Sequence, residues 1–125
     1  MVSLGEEWQG GIGGHNKAAA KIFLILFSEP PKLVPINFGQ DIFDEGTSAQ
    51  ILCSVSAGDK PLTITWSFHG NNISSDSGIM TSNIGSKTSV LIISSVSHGH
   101  RGMYSCLAKN KAGATASTAE LRVNG

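Results

Sequence analysis

The stretch GMYSCLAKNKAG at residues 102–113 decides how this chain is read. Tyr104, Cys106 and Ala108 alternate with Ser105, Leu107 and Lys109, and a period of two sets the first three on one face of a strand. Residues 109–113 then offer Asn110 and Gly113 for a tight reversal, because both tolerate a positive φ. A strand with one apolar face needs an opposing layer to bury it. Two runs upstream match it: Ile51, Cys53 and Val55 share one face, and Leu62, Ile64 and Trp66 share another, with Trp66 placed 13 residues after Cys53.

From Leu33 onward, β-branched runs separated by turn signals recur every 8–12 residues, which is the rhythm of an all-β sandwich. Strands are expected near residues 33–37, 47–57, 62–68, 79–84, 88–94, 102–109 and 114–123, with Leu91 and Ile93 joining the inward set. On spacing alone, Cys53 and Cys106 are either one disulfide or two buried thiols. They are too few for a three- or four-thiolate metal site and form no CxxC pair. Of the histidines at 15, 69, 98 and 100, only His98 and His100 are neighbours, in a Ser-His-Gly-His turn that reads as polar rather than metal-binding. No metal or other cofactor is expected.

The Cys53, Trp66, Tyr104 and Cys106 spacing resembles the immunoglobulin fold. More narrowly, Tyr104-Ser-Cys-Leu-Ala-Lys-Asn-Lys-Ala-Gly113 is similar to the Tyr-x-Cys-x-Ala-x-Asn-x-x-Gly signature of intermediate-set (I-set) domains. The resemblance covers residues 30–125 and implies a sandwich of two antiparallel sheets. It implies that Cys53 and Cys106 form a disulfide between the sheets, that Trp66 packs in the core on the sulfurs, and that the Tyr104 hydroxyl bonds back to the upstream chain. One departure stands out. Family members usually carry Asp four residues before the tyrosine, and His100 holds that place, so the usual ion pair is missing and the corner gains a weak coupling to pH.

The lead-in PPKLVP at residues 30–35 and the segment CSVSAGDKPLTITW at residues 53–66 are similar to the Down syndrome cell adhesion molecule (Dscam) family of arthropods, and in particular to its seventh immunoglobulin domain, which is encoded by alternatively spliced exons. This resemblance implies isoform-specific homophilic adhesion in neuronal recognition and axon guidance. The implied partners are an identical domain on another receptor copy and neighbouring immunoglobulin domains in the parent chain. The implied location is the extracellular ectodomain of a membrane-anchored receptor.

Charge and composition agree with a binding module. Nine Lys+Arg balance nine Asp+Glu over 125 residues, which leaves no basic stripe for nucleic acid. The longest apolar run, residues 22–27, is six long where a bilayer span needs about 20, so no membrane contact by this segment is expected. No Gly-x-Ser-x-Gly elbow, P-loop, His-Glu-x-x-His or dinucleotide fingerprint occurs, and a non-enzymatic domain is expected. Composition shifts near residue 29. Residues 1–29, rich in Gly and Ala, read as a leader outside the domain, disordered or a short helix, and they fit a signal peptide poorly.

Asn72-Ile73-Ser74 is a glycosylation sequon, expected in an exposed loop after the Trp66 strand. A parity violation is more informative. With Ile51, Cys53, Val55, Leu91 and Ile93 inward, the outward set contains Leu52, Val90 and Ile92, bordered by Gln50, Ser54 and Ser94. In the resembling fold these strands are neighbours, and the seventh domains pair through this sheet. Gln50, Leu52, Val90 and Ile92 are therefore the expected homophilic interface. Two other readings keep the fold: a structural spacer of an intracellular muscle protein, and an immune-receptor fragment binding foreign ligands through the loops at 57–61 and 109–113. Those loops carry no aromatic anchor.

Overall fold

A computed structural model describes residues 28–74 and 76–125. The leader expected over residues 1–29 lies outside the described residues up to residue 27. Glu29 is already held by the sandwich: its N–H donates to Asp59 Oδ2 at 2.7 Å, and its carbonyl accepts from the Asp59 N–H and from the Asn110 side chain.

Eight strands form two four-stranded sheets: β1 (Lys32–Leu33), β2 (Ala49–Ala57), β3 (Thr63–Phe68), β4 (Asn71–Asn72), β5 (Ile79–Ile84), β6 (Thr88–Ile93), β7 (Gly102–Asn110) and β8 (Gly113–Leu121). The sheet orders are β1-β2-β6-β5 and β4-β3-β7-β8, with every strand pair antiparallel. The long strands fall where the alternation placed them. Strand β1 is shorter than the expected 33–37, because Pro35 has no N–H to donate and the chain then crosses toward the other sheet. There Ile36 N–H reaches Ser117 Oγ at 3.1 Å, and Phe43 makes a parallel bridge to Val123. Strand β4 was not expected. It pairs with the end of β3 across a turn at His69 and Gly70, whose φ values of 52° and 81° suit a two-residue reversal.

The inward faces meet in one core that includes Ile51, Cys53, Trp66, Leu91, Ile93, Tyr104, Cys106 and Leu121. A disulfide joins Cys53 to Cys106 across it, with 6.4 Å between the α-carbons and 53 residues between them in sequence. Closing a loop of that length stabilises by about 4 kcal/mol in the loop-entropy picture. Trp66 lies directly opposite Cys106 in the β3–β7 register and is buried. Tyr104 is fully buried, stacks on Phe68 with centroids 4.6 Å apart, and donates its hydroxyl to the His100 carbonyl at 2.7 Å. Gly58 is required as glycine: its φ is +134°, and a β-carbon there would sit 2.8 Å from the Pro31 backbone.

Candidate functional site: the outer face of the first sheet

The first sheet buries one face in the core, and the antiparallel registers lay out the other. Across β2, β6 and β5 the outward residues form three rows: Gln50, Ile92 and Met80; then Leu52, Val90 and Ser82; then Ser54, Thr88 and Ile84. None of these nine residues is charged. Leu52 is 53% exposed, Met80 65% and Ile84 57%, and with Val90 and Ile92 between them they form a patch rather than scattered surface side chains.

The structure therefore brings Gln50, Leu52, Val90 and Ile92 together on one outer surface. Val90 and Ile92, expected to face solvent, are half-buried, because β6 is a central strand: in register Val90 is flanked by Leu52 and Ser82, and Ile92 by Gln50 and Met80. Met80 and Ile84 were missed by sequence reasoning. Strand β5 buries only Ile79, so no inward repeat fixes its parity, although Met80 could have been found by pairing the expected 79–84 strand with 88–94. No bulge interrupts the rows: over six consecutive pairs each, the β2–β6 and β5–β6 ladders run without a register shift.

Behind this face the sheet is fixed by a polar link through the core. Trp66 donates its indole N–H to Ser89 Oγ at 2.9 Å, and Ser89 Oγ donates to the Ser82 carbonyl at 3.2 Å. Ser89 lies between the outward Thr88 and Val90, so the link ties β3 of one sheet to β6 and β5 of the other directly under the apolar rows. Ser89 shares the inward parity of Leu91 and Ile93, which was the available signal for it.

The corner is built from His100 in place of a carboxylate. Its Nδ1 accepts the Ser97 N–H at 3.0 Å, which leaves the other nitrogen, Nε2, to donate to the Ser77 carbonyl at 2.8 Å. With Nδ1 accepting from a backbone N–H, the hydrogen of the ring is assigned to Nε2. Burial raises the Tyr104 phenol well above its ordinary value of 10.0.

The two loops at 57–61 and 109–113 are tied together rather than free. Asn110 donates to the Asp59 carbonyl at 3.0 Å and to Glu29, while its Oδ1 accepts the N–H groups of Ala112 and Gly113. Asn72 lies on the short strand β4 and not in a loop, and it is exposed. Among the described residues no group of three His, Cys, Asp or Glu side chains is placed to hold a metal ion, and no helix is long and apolar enough to cross a membrane.

Known proteins place this geometry in context. A family model described as "Immunoglobulin domain" matches residues 30–110. The chain is 40% identical over 96 residues to "Cell adhesion molecule Dscam1" of Drosophila melanogaster, covering 76% of this chain and 5% of that protein. It is 39% identical over 94 residues to "Cell adhesion molecule DSCAM" of Homo sapiens, covering 75% of this chain and 4% of that protein. It therefore spans about one-twentieth of the length of these relatives. Among solved structures it is similar to the Dscam1 Ig7 domain, isoform 5, with 42% identity and a TM-score of 0.73 over 76% of this chain and 97% of that one.

Proposed function

The chain belongs to the immunoglobulin domain family, and we propose that it is an extracellular recognition module that binds an identical copy of itself through the outer face of its first sheet. The observation that carries this reading is the uncharged grid of Leu52, Val90, Ile92 and Met80, bordered by Gln50, Ser82, Ser54, Thr88 and Ile84. Exposing an apolar face of this kind to water is unfavourable, and covering it with another apolar surface stabilises by about 25 cal/mol per Å² buried.

An identical partner is favoured by the symmetry of the face. Two copies related by a two-fold axis bring the same rows together, so each side chain near the axis meets its own equivalent. Charge would oppose such a contact, because like charges would coincide, and the face has none. Similarity to adhesion molecules whose immunoglobulin domains occur in long multi-domain chains supports the same reading, as does the solved eight-domain Dscam fragment, of which this chain covers 12%. In the parent receptor the flanking immunoglobulin domains add further contacts, and isoform choice is set by which side chains occupy the grid. The reading is of a binding module whose contact surface is this face.

The pinned state of the 57–61 and 109–113 loops argues against loop-borne recognition of foreign ligands. A bead-sorting assay tests the reading: beads carrying this chain aggregate with one another, and beads carrying Leu52→Lys stay dispersed and do not join them. Equal aggregation by both overturns the choice of face.

A further inference from the structure

Among the described residues strand β5 is a free edge of its sheet, and its sequence IMTSNI contains neither a charge nor a proline. Exposed edges present unpaired N–H and C=O groups and are ordinarily guarded by charge, proline, extreme shortness or a covering segment. The other edges described here have such guards. Strands β1 and β4 are two residues each, and β8 carries Glu120 and is met by the chain at Ile36, whose N–H reaches Ser117, while Phe43 pairs with Val123 just beyond its end. A groove of about 350 Å³ runs along the open side of the sandwich beside β5. Thr81 and Asn83 line it from β5, and the exposed Asn72 lines it from β4 of the opposite sheet. Asn72-Ile73-Ser74 is the only Asn-x-Ser/Thr triplet in the sequence.

We propose that Asn72 carries an N-linked glycan whose first sugars lie along this groove and cap the unguarded edge of β5. The groove suits a sugar better than an apolar ligand, since Asn72, Thr81 and Asn83 offer amide and hydroxyl groups around the Trp66 and Ile64 side chains. In the attachment step the Asn72 Nδ2 bonds to the anomeric carbon of an oligosaccharide carried on a lipid diphosphate. The carbon–oxygen bond to the diphosphate breaks, the lipid diphosphate leaves with the electron pair, and Nδ2 gives up one proton. The glycan then blocks strand addition at β5 while leaving the outer face free for pairing, so that association proceeds face to face rather than edge to edge. This rests on the extracellular reading above, because the sugar is added only to a chain entering the secretory route.

The test is expression of the whole chain as a secreted protein in animal cells. Enzymatic release of N-glycans in heavy-oxygen water marks an occupied Asn72 as a labelled Asp in the peptide map. Light scattering then compares the glycoprotein, the same folded protein after enzymatic release, and Asn72→Gln. The glycan-free forms are expected to associate several-fold more at equal concentration. That excess persists in an Ile92→Lys background and disappears with Asn83→Lys, which charges the edge. An unmodified Asn72, no gain in association on release, or a gain removed by Ile92→Lys each overturns the proposal. The last of these leaves the face reading intact, and loss of face pairing alone leaves this proposal intact.

Discussion

Trp66 and Ser89, on strands of different sheets, are joined by a 2.9 Å hydrogen bond inside the core, directly beneath the apolar rows of the outer face. Among the described residues the indole N–H has no other acceptor, and Ser89 is almost completely buried. A buried donor left unpaired costs about 1–3 kcal/mol. Ser89→Ala is accordingly expected to lower stability by about that much in denaturant unfolding. Ser89→Thr, which keeps the hydroxyl, loses less unless its added methyl is overpacked. No change in the alanine variant would show that the bond is not needed to tie the sheets.

Tyr104 is the only tyrosine in the chain, so its phenol can be followed without interference. Its hydroxyl is buried and donates to His100, and the folded-state pKa is raised above 10.0. The sign is then fixed. The unfolded chain releases this proton first, so stability from Tyr104 is complete below the ordinary phenol value and declines as pH rises beyond it. Phenolate absorbance is expected to appear only together with alkaline unfolding. A smooth titration near the ordinary value in the folded protein would contradict the buried corner.

At His100 the backbone donor of Ser97 determines the ring's state. Nitrogen shifts should show the ring hydrogen on Nε2 and a bare Nδ1 for this histidine. His100→Leu leaves the Ser77 carbonyl and Ser97 N–H without their partner and is expected to cost about 1–3 kcal/mol. The opposite tautomer would mean that the Ser97 contact does not form.

Much of the fold was legible because burial writes a period of two into β2, β3, β6 and β7, and because cysteine, tryptophan and tyrosine each stand at a position the core needs. Legibility ended where long-range geometry takes over. The truncation of β1 depends on Pro35 and on the path of the chain toward β8, and β4 exists through a His69-Gly70 turn that no alternation announces. The candidate face was half visible: Leu52, Val90 and Ile92 broke the expected alternation, whereas Met80 and Ile84 lie on a strand with a single buried residue and became part of the face only through its pairing with β6. The His100 network was invisible, since Ser77 is 23 residues away in sequence.

Sedimentation equilibrium of the chain across a wide concentration range, beside Ile92→Lys, tests self-recognition through the outer face most directly. Around a two-fold axis each substitution acts in both copies, so a loss of about 1–2 kcal/mol per site becomes roughly 30- to 1,000-fold in the dissociation constant. A concentration-dependent dimer in the parent chain, and a folded monomer for the variant over the same range, is the predicted result. A dimer of unchanged strength in the variant would contradict the account.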